Sequence, residues 1–158
     1  MNAVVQEKSP QVLRWVTFRL ADEIYGINVM QVQEVLRMTA VAPVPGAPHY
    51  VMGIINLRGN VVTVLDTRKL LDLATHEITG SSRIMIIESG KVTVGLLVDS
   101  VAEVVNISAA DIHPPPSVGN DEGSRYIQGI YSTEQQILIL IDLNKLICEE
   151  NREAIGMF

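Results

Sequence analysis

The sequence predicts a mainly β fold with short helices, in which one β-rich unit occurs twice. Hydrophobic residues make up 47% of the chain and aromatic residues only 4%, so a core must consist chiefly of Val, Ile and Leu. These residues occur in short runs separated by glycine and polar residues, which is the pattern of strands joined by turns. Two stretches of the second half also match two stretches of the first half in the same order, which indicates an internal duplication.

The first half begins with a polar segment, residues 1–12, that is predicted to be a flexible tail. Apolar and polar residues alternate over residues 15–20, and a turn leads to an apolar run at residues 24–27, so these segments predict a hairpin. Asn28 is predicted to cap a short helix after it. The apolar face of that helix consists of Val29, Val32, Val35 and Leu36. Glu34 is expected to be exposed beside this face.

A second hairpin is predicted for residues 53–66, which read GIINLRGNVVTVLD. Its two apolar runs flank Gly59-Asn60, and a two-residue connection that begins with glycine favours a type II′ turn. Arg58 is therefore expected at the mouth of the hairpin, in solvent. Asp66 ends the second strand and occupies the N-cap position of a short helix predicted for residues 67–73.

The remaining segments repeat this order of elements. Prolines in residues 42–48 predict an extended connection before the hairpin, and polar residues 74–82 predict the boundary between the two halves. The second half is predicted to contain strands at 84–87 and 92–98, a short element capped by Asp99 or Ser100, a long loop with prolines at 114–116, strands at 127–131 and 137–141, and a capped helical turn at 142–147.

The internal repeat separates structural positions from functional ones. Residues 26–36 align with residues 95–105, and residues 51–71 align with residues 127–147. Glycines, valines and aspartates that recur in both copies are expected to serve the fold, as close contacts, core residues and helix caps. The hairpin mouth does not recur, because Asn-Leu-Arg-Gly in the first copy is Ser-Thr-Glu-Gln in the second. We therefore predict that the first mouth is a binding site.

Composition disfavours several classes of function. Eighteen acidic residues against 12 basic ones give a net charge of −6, and no cluster of Lys and Arg is present, so nucleic-acid binding is not expected. No secretory signal precedes the first strand, and every apolar run is far shorter than the roughly 20 residues that cross a bilayer, which predicts a soluble cytoplasmic protein. The single cysteine, Cys148, excludes an internal disulfide and suits a reducing compartment.

The sequence contains no recognisable catalytic or metal-binding motif. His49, His76 and His113 lie in separate predicted loops without further ligands at metal-binding spacing. Asp66 and Asp142 occupy equivalent positions of the repeat, which favours helix capping over a pair of catalytic acids. The sequence alone does not exclude a pair of catalytic acids that only the fold brings together. We predict no catalytic residue, no metal and no cofactor.

Several motifs, taken together and in order, resemble those of a known family. GIINLRGNVVTVLDTR, from Gly53, resembles the signature of the CheW family, the coupling proteins of bacterial chemosensory arrays. In that signature an Asn-Leu-Arg-Gly hairpin precedes a Val-rich strand and an Asp-x-Arg triplet. YGINVMQVQEVL, from Tyr25, GLLVDSVAEVV, from Gly95, and the proline stretch at 112–116 are similar to further segments of the family. The match runs from about residue 13 to residue 146, and the chain is identified as a member.

The resemblance implies a specific architecture. It implies two small five-stranded, SH3-like β-barrels packed around a shared hydrophobic core. The length of 158 residues agrees with one such domain, residues 13–147, made of lobes at about 13–80 and 81–147 between which strands could be exchanged. A C-terminal tail, residues 148–158, follows.

The resemblance also implies a role without catalysis. A protein of this family bridges the regulatory domain of a CheA-type histidine kinase and the cytoplasmic tip of a chemoreceptor, and we expect it to be a monomer when free. The residues assigned to the kinase-facing edge are Gly53, Arg58, Gly59 and Val61. The residues assigned to a receptor-binding groove are Val32, Glu34, Val35, Ile84, Val98 and Val101. An apolar groove suits a receptor tip, because the tip is a helical hairpin.

Two other functions remain open from the sequence. The chain could be an adaptor of a parallel chemosensory system that controls pili or second-messenger output. It could also belong to another class, as a β-barrel enzyme or small-ligand-binding protein, which would need a group of polar residues inside the groove.

Overall fold

A computed structural model describes residues 11–75, 77–115 and 126–147. The strands are β1 (Val12–Leu20), β2 (Glu23–Asn28), β3 (Val32–Arg37), β4 (Val51–Leu57), β5 (Asn60–Asp66), β6 (Arg83–Ser89), β7 (Val92–Val98), β8 (Ser100–Ser108), β9 (Ile127–Ser132) and β10 (Ile137–Ile141). The α-helices are α1 (Thr67–Leu70) and α2 (Leu143–Leu146), and 3-10 helices span Val29–Gln31 and Ala109–Asp111. The mainly β prediction is confirmed.

The strands form two five-stranded sheets. Sheet 1 has the order β8-β1-β2-β10-β9, and sheet 2 has the order β3-β6-β7-β5-β4. Neighbouring strands are antiparallel except at one place in each sheet, where β2 pairs with β10 and β7 pairs with β5 in parallel. These parallel pairs join strands that lie far apart in the sequence.

The two sheets have the same strand order once the repeat is taken into account. The five strands β1–β5 of the first half correspond in order to β6–β10 of the second. Each sheet consists of the first two strands of one half and the last three strands of the other, so β3 and β8 are the strands that cross between sheets. We name the links that lead into them the first crossover, residues 28–32, and the second crossover, residues 98–101.

The core consists of three apolar clusters. The largest, which we call the shared cluster, takes Phe18 and Ile27 from sheet 1 and Leu65 and Leu96 from sheet 2, among others. A second cluster lies within sheet 2 and a third within sheet 1, around Trp15. The shared apolar core implied by the resemblance is therefore present, and it joins the two sheets.

The predicted helix at residues 28–36 is wrong for most of its length. Asn28 does cap a helix, because its side chain accepts a hydrogen bond from the backbone N–H of Met30, but that helix is a single 3-10 turn. The chain then continues as β3, whose residues alternate between half-buried and exposed. Pairing with β6 favours the strand at β3. The short element predicted after Asp99 is likewise a strand, the nine-residue β8.

The hairpin turn lies one residue earlier than predicted. Leu57 pairs with Asn60, so the two connecting residues are Arg58 and Gly59. Their φ angles are +51° and +91°, which is the pattern of a type I′ turn rather than type II′. The side chain of Asn56 accepts a hydrogen bond of 2.8 Å from the N–H of Gly59 and so closes the turn.

Both predicted aspartate caps are confirmed. Asp66 Oδ1 accepts from the backbone N–H of Arg68 at 3.1 Å, and Asp142 Oδ1 accepts from that of Asn144 at 3.0 Å. The helices that follow are only four residues long. Most of the N-terminal tail, the tip of the proline loop, His76 and the tail at 148–158 lie outside the described residues, as does Cys148.

Candidate interaction surfaces

The hairpin mouth carries an ion pair between two elements of sheet 2. Arg58 Nη1 donates to Glu34 Oε1 at 3.3 Å, and Nη2 contacts Oε2. The pair lies at the surface, where 68% of the Arg58 side chain is exposed. The hydrogen bond from Arg58 lowers the pKa of Glu34, and its partner in turn raises the pKa of Arg58. The structure thus brings together Arg58 and Glu34, which the sequence assigned to two different surfaces.

An apolar hollow lies beside the mouth. Val61, the second residue of β5, is 63% exposed although it is a large apolar residue. It borders a surface cavity of about 380 Å³. The lining residues are Ala40, Val41, Ala42, Ile54, Ile55, Asn56 and Val61. Sequence reasoning missed residues 40–42, because the nearby prolines indicated only a connection. The available signal was that these three apolar residues directly precede the first of those prolines.

Gly53 allows one wall of this hollow to lie close to β4. Backbone hydrogen bonds of 2.9 Å join Ala42 and Ile54 in both directions and hold the connecting segment against β4. A Cβ atom on Gly53 would lie 2.2 Å from the carbonyl oxygen of Ala42, so only glycine allows this approach. The equivalent Gly129 is equally crowded, with Ile112 Cγ2 at 2.3 Å from such a Cβ. The recurrence of this glycine is therefore explained by the fold.

The six residues assigned to the receptor-binding groove do not form one patch. Val32 and Val101 are half-buried and pack against the shared cluster, one from each crossover, and the buried Val98 belongs to that cluster. Ile84 is buried inside sheet 2, in the second cluster. Glu34 and Val35 lie on β3, where Val35 is 41% exposed. Ile84 and Val98 can thus act only from below the surface, while the other four residues reach it.

Comparison with known proteins decides the family. A family model described as a CheW-like domain matches residues 14–151. The chain belongs to the CheW family. It is 34% identical to the chemotaxis protein CheW of Rhizobium meliloti over 139 residues, which cover 88% of this chain and 90% of that protein. It is 31% identical to protein FrzA of Myxococcus xanthus, with 88% of each chain covered.

A solved structure of the CheW family shows the same fold. The crystal structure of scaffolding protein TtCheW from Thermoanaerobacter tengcongensis superposes with a TM-score of 0.80 at 33% identity, and the match covers 91% of this chain and 93% of that one. With the CheW relatives, this match identifies the chain as a chemotaxis coupling adaptor. The predicted family, fold class and adaptor function are confirmed.

The described part of the chain has neither a metal-binding cluster nor a membrane-spanning helix. Residues 11–75, 77–115 and 126–147 contain no group of three or more His, Cys, Asp or Glu side chains arranged to hold a metal ion. No helix in the same ranges is both long enough and apolar enough to cross a membrane.

Proposed function

We propose that this chain is a non-catalytic adaptor that links the cytoplasmic tip of a chemoreceptor to the regulatory domain of a CheA-type histidine kinase. The observation that carries the proposal is the CheW-like match over residues 14–151. Two chemically different surfaces support it, since a bridging protein needs a separate contact for each partner. It acts in the cytoplasm, where both partners present these domains.

The hairpin mouth and the hollow beside it form the kinase-facing surface. Val61 and the cavity walls offer apolar area for burial, and Arg58 and Glu34 supply a charged rim. An apolar centre with a polar rim is the usual anatomy of a protein interface of modest size, which stays reversible. Gly53 and Gly59 contribute through the backbone, one by close packing and the other through the turn.

The crossovers provide the receptor-facing surface. Val32 and Val101 present half-buried apolar side chains over the shared cluster, and the exposed Val35 extends this area along β3. A helix of a receptor tip places apolar residues at intervals of three and four positions and would lay them in such a groove. Val98 acts as the buried floor of the groove, and Ile84 supports β3 from inside sheet 2.

The test is reconstitution of kinase coupling. Receptor-tip assemblies and a CheA-type kinase are sedimented with this protein, and kinase activity is measured with and without it. Arg58→Ala should weaken coupling several-fold and leave the melting temperature within a few degrees of wild type, because an exposed ion pair contributes little to folding. Arg37→Ala, which removes an exposed arginine from β3 of the same sheet, is the matched control. Full coupling by Arg58→Ala would remove Arg58 from the site.

A parallel chemosensory system is the second candidate. The similarity to protein FrzA, at 31% identity over 141 residues, is the observation that favours it. An adaptor of this kind would use the same two surfaces with different partners. Deletion of the gene separates the candidates, since loss of swimming chemotaxis supports the first, whereas an unchanged chemotactic response with altered surface motility supports the second.

A further inference from the structure

A partly buried ion pair lies at the second crossover and has no assigned role: the side chain of Arg68 is 10% exposed and that of Asp99 is 20% exposed. Arg68 of α1 is only 8% exposed when its backbone is included. Its Nε donates to Asp99 Oδ1 at 3.0 Å, its Nη2 contacts Asp99 Oδ2, and its Nη1 donates to the carbonyl oxygen of Ala74 at 2.7 Å. All three guanidinium nitrogens therefore have partners, as a buried arginine requires.

The same aspartate also holds the turn between β1 and β2. Asp99 Oδ2 accepts a hydrogen bond of 2.8 Å from the N–H of Ala21, and the N–H of Asp99 donates to the carbonyl oxygen of Arg19 at 3.0 Å. Asp99 itself lies between β7 of sheet 2 and β8 of sheet 1. One carboxylate thus joins the end of sheet 2, the helix α1 and a turn of sheet 1.

The first crossover lacks this charge pair although the fold is repeated there. Sequence alignment of the two halves places Asn144 opposite Arg68 and Met30 opposite Asp99. Asn144 Oδ1 instead accepts hydrogen bonds from Ser89 Oγ at 2.7 Å and from Gln31 Nε2 at 3.4 Å. A neutral contact is therefore sufficient to connect the α-helix to a crossover, and the charged version is not a general requirement of the unit.

We propose that the Arg68–Asp99 pair is a positioning clasp that holds the second crossover in the conformation that receptor binding needs. The inference rests on the receptor-facing role proposed above. Asp99 directly follows Val98 and precedes Val101 by two residues, so any movement at Asp99 displaces both the floor and the rim of the groove. Holding these residues in place before the partner arrives removes an ordering cost from binding.

The geometry of arginine explains why this position needs a planar cation. The guanidinium group meets both carboxylate oxygens and a carbonyl at once, which fixes direction as well as distance. A lysine ammonium at this position would keep the charge but lose the paired contact. Removing the charge of Asp99 would leave the buried guanidinium group without its counter-charge, and the crossover would rearrange to let water reach it.

The test compares two affinities in the full chain. Dissociation constants for a cytoplasmic receptor fragment and for the kinase regulatory domain are measured for Asp99→Asn at a temperature well below melting. We expect receptor affinity to fall about tenfold through loss of preorganisation, with kinase affinity within twofold of wild type. Arg68→Lys should give a smaller loss of receptor affinity, again with kinase affinity close to wild type. If Asp99→Asn fails to fold, the affinities of Arg68→Lys test the proposal in its place.

One control variant accompanies these. Asp72→Asn removes an exposed negative charge close to α1. It should not reproduce the selective loss. Equal losses of receptor and kinase affinity that follow the melting temperature would show that the pair has a purely structural role. Unchanged receptor affinity would show that the pair does not position the groove. Either outcome overturns the proposal. Failure of the wild-type protein to bind the receptor fragment would instead refute the proposed function itself.

Discussion

At the scale of single residues, Arg58 has a backbone conformation that is unusual for its residue type. Arg58 is not glycine, yet its φ is +51° at the apex of the hairpin. Such a conformation is uncommon for a residue with a long side chain. The turn is closed by Asn56 and completed by Gly59, so neighbouring residues maintain it. The strained position directs the guanidinium across to Glu34 on β3.

The pH dependence of this pair follows from the lowered pKa of Glu34. Its ordinary value is 4.5, and the hydrogen bond from Arg58 lowers it in the folded protein. A carboxyl group whose pKa is lowered on folding stabilises the folded protein at pH values above its ordinary pKa. This stabilisation is lost as the pH falls through the lower pKa of the folded state. We expect an NMR titration of the Glu34 carboxyl to show a midpoint below 4.5 that rises in Arg58→Ala. An identical midpoint in both proteins would contradict the ion pair.

Gly53 offers a test of close packing at one residue. A methyl group there would meet the carbonyl oxygen of Ala42 at 2.2 Å, and this backbone oxygen cannot rotate away. We expect Gly53→Ala to lower the free energy of unfolding by about 1–3 kcal/mol or more, measured by urea denaturation. Gly80→Ala is the matched control, because no atom lies within 4 Å of a Cβ at Gly80. Equal stability of the two variants would refute the packing argument.

At the scale of elements, β3 shows where sequence reasoning succeeds and where it fails. Its half-buried residues Val32, Glu34 and Leu36 alternate with exposed ones, which is the period of a strand. The exposed Val35 obscures this period, since with Val29 and Val32 it completes a helical spacing. An apolar residue that faces solvent on a strand can therefore produce the spacing of a helix.

Other elements were predictable because local chemistry alone determines them. Asp66 and Asp142 cap their helices through contacts within three residues, and the hairpin at 53–66 follows from its glycine and its apolar runs. The exact turn was not predictable, because an arginine with positive φ depends on contacts outside the turn. The Arg68–Asp99 pair was also missed, since residues 31 positions apart meet only after the strands have paired.

Substitutions on strand β3 and its neighbour β6 distinguish residues of a binding surface from residues of the core. Val35→Ser changes an exposed residue and should cost less than about 0.5 kcal/mol of stability while reducing receptor affinity. Ile84→Ala empties a fully buried site and should cost about 2–5 kcal/mol. Chemical denaturation and receptor binding are measured for both. A Val35→Ser protein with wild-type affinity would remove Val35 from the receptor-facing surface.

At the scale of the whole molecule, the exchange of strands connects the two proposed binding surfaces. The hairpin mouth belongs to sheet 2, whereas Val101 is the second residue of β8, a strand of sheet 1. The strands of that hairpin reach the shared cluster only at the end away from the mouth, through Val51 and Leu65, and Val32 and Val101 pack against the same cluster. The two proposed surfaces are therefore connected through packed side chains of this cluster.

The exchange also predicts that neither half of the chain folds alone. Residues 11–80 supply β1 and β2 to sheet 1 and β3–β5 to sheet 2, so a separated half leaves both sheets incomplete and exposes the shared cluster. A chain whose halves complete each other should unfold in one cooperative transition. We expect calorimetry of the full chain to give equal calorimetric and van't Hoff enthalpies, and NMR spectra of residues 11–80 and 81–147 expressed separately to lack the dispersion of a folded protein. Mixing the two fragments should restore dispersed signals, because every strand pair is then available again. Two separate transitions, or a folded isolated half, would show that each half is stable without its exchanged strands.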